Sequence, residues 1–361
     1  ASTTPSAANI TAYAEIVRDK AILRQLIDAG TDIVNNAFQP DGRDSDEILA
    51  SAEKDIFAIG EARTQGRADF LPISRAMADA FDVLQTRYQA GGGVTGLSTG
   101  YTEFDEMTAG LQPTDLIILA ARPAMGKTTL ALNIAEAAAL ARNKAVAVFS
   151  MEMSASQLAL RLISSIGRVN ATRLRTGQLE DEDWSRVSAA IRRLKPAPMF
   201  LDDTPALSPE ALRAKARRLK RQHDLGLIVV DYLQLMQVPG NSENRATEIS
   251  EISRSLKALA KELHVPVVAL SQLNRSLETR ADKRPVMADL RESGAIEQDA
   301  DMIVFIYRDE YYNKEASPDR GLAEVIIGKQ RSGPTGSFKL RFFGEYTRFD
   351  NLSHDVIGAF E

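Results

Sequence analysis

Residues 115–141 read DLIILAARPAMGKTTLALNIAEAAALA, and no other stretch constrains the fold as much. Six apolar residues, 116–121, lead without interruption into a short turn, and a long run rich in Ala and Leu follows. An unbroken apolar run before a turn predicts a strand buried on both faces, and the run behind it predicts a helix packed on that strand. The turn, Ala121-Arg-Pro-Ala-Met-Gly126-Lys127-Thr128, keeps the spacing G-x-x-x-x-G-K-[ST] except that Ala121 holds the first position. Each part of this spacing has a chemical reason. Main-chain N–H groups of the turn and of the helix start converge on an anion. Gly126 lets the backbone approach closely. Lys127 reaches phosphate oxygens, and Thr128 offers its hydroxyl to magnesium. The expected polyphosphate-binding residues are therefore Arg122, Pro123, Ala124, Met125, Gly126, Lys127, Thr128 and Thr129. A chance Gly-Lys-Thr at a helix start is the competing reading.

The alternation continues downstream. Runs at 116–121, 145–150, 199–202, 227–231, 265–271, 301–307, 322–328 and 337–343 predict strands. Stretches at 102–108, 126–142, 155–166, 181–194, 209–222 and 246–263 predict helices. Such alternation predicts an α/β fold with a mostly parallel central sheet. The close spacing of 322–328, 337–343 and 346–349 predicts antiparallel strands at one edge.

Ahead of this core the pattern is helical. Ile16, Val17, Leu23, Leu26, Ile27, Ile33, Val34 and Phe38 form one apolar face, and Ile48, Leu49, Ala52, Ile56 and Ile59 another. The turn-rich residues 40–46 between them predict an αα-hairpin. Pro72 opens a third helix with the stripe Ile73, Met77, Phe81, Leu84 and Tyr88, ending at Gly91-Gly92-Gly93. The expected organisation is a disordered start (1–9), a helical hairpin (10–66), a linker with an amphipathic helix (67–95), the α/β core (96–352) and a tail (353–361). The hairpin is too small to stand alone. The amphipathic helix needs a groove, on its own domain or on a neighbouring subunit.

Composition excludes several classes. The chain has no cysteine, so disulfides and thiolate metal sites are ruled out. His223, His264 and His354 are too scattered to suggest zinc. No apolar run reaches the roughly 18 residues of a spanning helix, so a cytoplasmic protein with no membrane partner is expected. The net charge of −5 advertises no global field for nucleic acid, so any such contact must be local.

In parallel sheets chemistry gathers beyond the strand ends. The run 145–150 ends in Ser150-Met-Glu152-Met. Glu152 is a candidate general base for an attacking water, or a charge ahead of a helix capped by Ser154. The run 227–231 ends in Asp231-Tyr232, which fits a Walker B strand whose Asp holds magnesium, or an ordinary strand-terminal Asp. Tyr232 stands where many such enzymes carry a basic Glu, which leaves that role to Glu152. Gln272, after 265–271, is a γ-phosphate sensor or a polar loop residue. Lys329 and Arg331, after 322–328, suit a phosphate-stabilising finger or a solvated basic turn. The strongest cation cluster, Arg213, Lys215, Arg217, Arg218, Lys220 and Arg221, reads as a solvated helix face.

Together these stretches resemble the bacterial replicative DNA helicases of the DnaB family. The residues that carry the resemblance are Gly96-Leu-Ser-Thr-Gly-Tyr-Thr-Glu-Phe-Asp105, Ala120-Ala-Arg-Pro-Ala-Met-Gly-Lys-Thr128, Phe149-Ser-Met-Glu-Met-Ser154, Val230-Asp-Tyr-Leu-Gln-Leu235, Leu270-Ser-Gln-Leu-Asn-Arg275, Asp289-Leu-Arg-Glu-Ser-Gly-Ala-Ile-Glu-Gln-Asp-Ala-Asp301 and Lys329-Gln-Arg331. They come in the family's order, and Ala121 is usual there. The resemblance implies a RecA-like P-loop core that uses ATP and Mg2+. Lys127 and Thr128 would bind phosphate and metal, with Asp231 the second metal ligand. Glu152 would be the base, Gln272 the sensor, and Lys329 and Arg331 the groups acting on a neighbour's nucleotide. Arg291, Glu292 and Gly294 would form a loop holding single-stranded DNA. A homohexameric ring moving 5′→3′ is implied, with primase and a helicase loader as partners and a location at the nucleoid. The family's globular head, which precedes the hairpin, is missing, so the chain is expected to be truncated in front.

The stretch 275–294 has nearly balanced charge and no interleaved aromatics, so a stacking platform is not expected. Contacts to DNA phosphates from main-chain N–H groups near Gly294 and one cation per subunit are, and a ring would add them through avidity. A RecA-like recombinase or clock-type ATPase is the alternative, and a helical scaffold without activity a third class.

Overall fold

The computed structural model describes residues 10–40, 42, 44–65, 73–89, 93–238, 245–290 and 294–352. The start and tail expected at 1–9 and 353–361 lie outside them, as do Arg291 and Glu292. The chain divides into two compact units, residues 1–86 and 87–361.

In the first unit α1 (Ile10–Phe38) and α2 (Ser45–Gln65) pack against each other. Asp44 starts α2 by accepting the Glu47 N–H at 2.8 Å. Much of the apolar face that the sequence defines stays uncovered: Val17, Ile27 and Phe38 are exposed. Helix α3 (Ile73–Gln89) crosses the boundary between the units. Its stripe, Ile73, Met77, Phe81, Leu84 and Tyr88, is 61–88% exposed.

The second unit opens with α4 (Thr102–Thr108), β1 (Leu116–Ala121), α5 (Lys127–Glu136), β2 (Ala145–Ser150), α6 (Ala155–Gly167), α7 (Ala171–Thr176) and α8 (Asp181–Leu194). It continues with β3 (Met199–Asp202), α9 (Pro209–Gln222), β4 (Leu225–Asp231), α10 (Arg245–Leu263), β5 (Val267–Gln272), α11 (Gly294–Asp299) and β6 (Met302–Tyr307). It closes with α12 (Asp309–Asn313), β7 (Leu322–Gln330), β8 (Gly336–Phe343) and β9 (Arg348–Asn351). One sheet runs in the order β3-β2-β4-β5-β1-β6-β7-β8-β9. The strands from β3 to β6 are parallel, and β7, β8 and β9 are added antiparallel at one edge.

All six residues of β1 are buried, which explains why its sequence shows no alternation. Leu116, Ile118 and Ala120 share one buried cluster with Leu212 of α9 and Ile252, Leu256 and Leu259 of α10. Ile117, Leu119 and Ala121 share the other buried cluster with Leu130 and Ile134 of α5 and Leu158 and Leu162 of α6. Each such Leu or Ile contributes about 1.5–3 kcal/mol by leaving water, so the three layers lock the strand from both sides.

Three differences from the sequence expectation have physical causes. The helix expected over 126–142 ends as α-helix at Glu136 and continues as a π-helical turn, Ala137–Ala141. The short α7, α11 and α12 carry too few residues to show a period. The cations of α9 are not simply solvated: Arg213 and Arg217 pair with Glu262, Lys215 with Asp202 at 2.6 Å, and Lys220 donates to the Leu225 carbonyl at 2.9 Å.

Candidate active site

The carboxyl ends of β1, β2, β4 and β5 open into one cavity of about 360 Å³. The turn after β1 forms its floor. Gly126, at φ 99°, is the N-cap of α5, and a Cβ there would stand 2.7 Å from the Phe349 ring. Glycine is thus required both by conformation and by space. Arg122 and Met125 send their side chains elsewhere. Arg122 donates to Glu278 (2.7 and 2.9 Å) and to the Leu273 carbonyl (3.0 Å), and Met125 is buried in the core. Their contribution to an anion site is main chain.

Lys127 points into the cavity, with Nζ 4.5 Å from the centre of the Tyr232 ring. Burial lowers its pKa, while Asp231 and Glu152 hold it up. Thr128 Oγ1 donates to Asp231 Oδ2 at 2.8 Å. Asp231 is 2% exposed, and its Oδ1 has no partner among the described residues. Burial pushes the Asp231 pKa up against the pull of Lys127 and Thr128. A buried carboxylate with one oxygen unused, beside a hydroxyl, is a hard-oxygen pair that fits Mg2+. No group of three or more acidic, His or Cys residues suited to a metal occurs among the described residues.

The loop after β2 is braced against β4. Met151 N–H donates to the Asp231 carbonyl at 2.8 Å, and Ser150 Oγ donates to the Met153 carbonyl at 2.9 Å. Ser154 caps α6 in a reciprocal box with Gln157. Glu152 therefore stands on a fixed loop at the cavity, ahead of the cap rather than in it. Gln272 pairs in register with Ala121 and also lines the cavity. Its N–H meets Gln234 Oε1 at 3.3 Å, and Gln234 Nε2 donates to Ser271 Oγ at 2.9 Å, so β5 and the segment after β4 are tied together.

Lys329 and Arg331 are not in this cavity. Strand β7 runs on to Gln330, so Lys329 lies within it. Because β7 is antiparallel to β6, Gln330 faces Met302, and Met302 faces Ile117 near the start of β1. Arg331 is thus about five strand residues, or roughly 17 Å, from the end of β1. Gly294 is the first residue of α11. The sequence missed three groups near the cavity. Arg161 of α6 lines it, and its charge favours the ionised form of Asp231. Phe342 of β8 also lines it, and the Arg308 guanidinium lies 4.0 Å from the Phe342 ring centre and donates to the Ala124 carbonyl at 3.2 Å. Arg161 carries only its helical period as a signal. Phe342 and Arg308 meet only through the antiparallel edge.

The sheet order, the turn at β1 and the Thr128–Asp231 pair define a P-loop ATPase of RecA-like architecture. Residues 96–351 match the family model of the DnaB-like helicase C-terminal domain. The chain is 54% identical to the replicative DNA helicase DnaB of Haemophilus influenzae over 356 residues, 97% of this chain and 76% of that one. It is 49% identical to the corresponding protein of Geobacillus stearothermophilus, over 96% and 76%. Among solved structures, a DnaB-like replicative helicase described with its interactions with primase superposes with a TM-score of 0.80 at 34% identity, covering 97% of this chain and 81% of that one. The ATPase domain of G40P superposes at 0.75 with 39% identity, over 79% and 100%. The chain belongs to the family of DnaB-like replicative DNA helicases, which are ATP-dependent enzymes. No helix among the described residues is long and apolar enough to cross a membrane.

Proposed function

We propose that this protein couples ATP hydrolysis to 5′→3′ movement along single-stranded DNA and to duplex unwinding, as a homohexameric ring. The observation that supports it is the separation of two sets of residues on one sheet. Lys127, Thr128, Glu152, Asp231 and Gln272 converge on one cavity, whereas Lys329 and Arg331 lie at the other end of the strands. A ring lets the second set of one subunit meet the first set of the next.

Within the cavity Lys127 and the turn's N–H groups hold the terminal phosphates. Thr128 and Asp231 would hold Mg2+, which would supply positive charge against the phosphates. Glu152 accepts the proton of the attacking water. Gln272 contacts the γ-phosphate and passes its presence through Leu273, which bridges to Leu290. Arg161 adds a positive charge within the subunit. Phe342 and Arg308 give the nucleobase a stacking face. Arg291, Glu292 and Gly294 form the loop that holds single-stranded DNA, and its phosphate contacts come from main-chain N–H groups near Gly294 and one cation per subunit. The exposed stripe of α3 packs on an adjacent subunit, and primase and a loader are the expected partners at the nucleoid.

Mixing two inactive variants tests the shared site. Arg331→Ala lacks the finger and Lys127→Ala lacks the phosphate lysine. An interface joining the Arg331→Ala loop to the Lys127→Ala finger is complete, so ATP turnover should reappear in mixed rings. Absence of any turnover at every mixing ratio argues against a site shared between subunits.

A further inference from the structure

The two cations of the finger are already engaged within their own chain. Lys329 Nζ donates to the Glu297 carbonyl at 2.5 Å and the Ala300 carbonyl at 2.7 Å, and Arg331 Nη2 donates to the Gln298 carbonyl at 2.5 Å. These carbonyls lie at the end of α11, where cations are favoured. The two side chains also repel each other. Burial and the Arg331 charge both hold the Lys329 pKa down. Such a pair needs an anion when no phosphate is present.

Asp301, Glu297 and Asp299 all offset the lowering of the Lys329 pKa, and Asp301 is the one that pairs with Arg331. Asp301 precedes β6 and is 7% exposed. Its Oδ2 accepts the Leu116 N–H at 2.8 Å and pairs closely with Lys257, which is anchored to the Thr114 carbonyl at 2.8 Å. Its Oδ1 faces Arg331 Nη1 at 3.6 Å. The main chain repeats the connection, since Arg331 N–H donates to the Asp301 carbonyl at 2.9 Å. One carboxylate oxygen is therefore fixed by β1 and α10, and the other is aimed at the finger. The Arg331 side chain stays 50% exposed, so its outward half is available.

We propose that Asp301 is a positioning residue, which fixes the Arg331 guanidinium, with Lys329 beside it, in the orientation that meets a neighbouring subunit's nucleotide. The inference rests on the shared site proposed above. An arginine held in place before the reaction loses no further freedom when it docks, and misplacement is expensive. The competing role is a clasp that fastens β1 to β6 through Leu116 and affects only the subunit's own loop.

Asp301→Asn separates the two. The amide is isosteric, its oxygen still accepts Leu116 N–H, and its NH2 group now faces Arg331. In the full chain with single-stranded DNA, kcat for ATP hydrolysis should fall roughly 10- to 100-fold with KM unchanged. Mixing with Lys127→Ala subunits should restore turnover, because the variant's loop then meets an intact finger. In an Arg331→Ala background the substitution should add nothing. Unchanged kcat, a rise in KM alone, or a further loss on top of Arg331→Ala overturns the positioning role. Arg331→Ala mixed with Lys127→Ala runs in parallel. If that mixture recovers and the Asp301→Asn mixture does not, Asp301 is a clasp and the shared site stands. If neither recovers, the shared site itself fails, and the inference with it. Should Asp301→Asn not fold, Asp301→Glu keeps the charge but moves it by one methylene. Reduced kcat with recovery in the mixture supports the positioning role, and full activity or no recovery overturns it.

Discussion

The two ends of the sheet treat buried charge differently. At the carboxyl end of the parallel strands, Asp231 keeps one oxygen without a partner beside the Thr128 hydroxyl and Lys127. At the amino end, Asp301 is fully engaged by Leu116, Lys257 and Arg331. The first arrangement is incomplete in a way that a cation and a polyphosphate complete. The second is self-neutralised and leaves the Arg331 side chain half exposed. On the shared-site proposal, a lone subunit would carry a receptor at one end of β1 and its donor at the other. Cutting the donor should cost most. Arg331→Ala should lower kcat by about 10³- to 10⁵-fold, the range for an arginine finger, while leaving nucleotide affinity nearly intact. Single-turnover hydrolysis and a nucleotide titration would show it, and a loss confined to affinity would place Arg331 outside the reaction.

On the receptor side the expected loss is smaller. Glu152→Gln should reduce hydrolysis about 10²- to 10⁴-fold, the usual contribution of a general base, with binding preserved. Retained turnover would move the base to another group on the cavity wall. Smaller again is the rim. Phe342→Ala removes the ring under Arg308, a contact of about 0.5–2 kcal/mol in such geometry, and should raise KM for ATP several-fold with little change in kcat. If kcat falls instead, the ring is shaping the turn around Gly126 rather than receiving a base.

How much of this was legible in the sequence follows from what each group depends on. Lys127, Thr128 and Glu152 follow a buried parallel strand or its turn, Asp231 and Gln272 end one, and parallel strands align their carboxyl ends. Apolar runs and the residues after them were therefore enough to bring the set together. The direction of β7 could be inferred from the short links at the edge. The consequence, that Lys329 and Arg331 lie at the far end of the sheet, needed the register of Gln330 against Met302. Arg161 gave only its helical period, and Arg308 and Phe342 gave no signal, because their places at the cavity come from packing between distant elements. The basic helix misled because its partners, Glu262 and Asp202, lie 45 and 13 positions from Arg217 and Lys215.

The smallest effect tests whether the amino end is as settled as Asp301 suggests. Asp115, directly before β1, has its pKa raised to about 6, first by burial and then by the charge of Asp301, against Lys257 and Arg331. A carboxyl that binds its proton more tightly when folded stabilises the fold where it is protonated. Stability from this group is greatest below pH 4, declines as the pH rises toward 6, and stays reduced above it. Asp115→Asn removes the penalty. It should raise stability above pH 6 by on the order of 1 kcal/mol once solvent screening is allowed for, and change little below pH 4. Thermal melts of both proteins across that range decide the matter. A variant less stable at neutral pH would mean that the Asp115 charge is needed to balance Lys257 and Arg331. The amino end would then be short of negative charge, and Asp301 would be sharing the finger's counter-ion role rather than filling it alone.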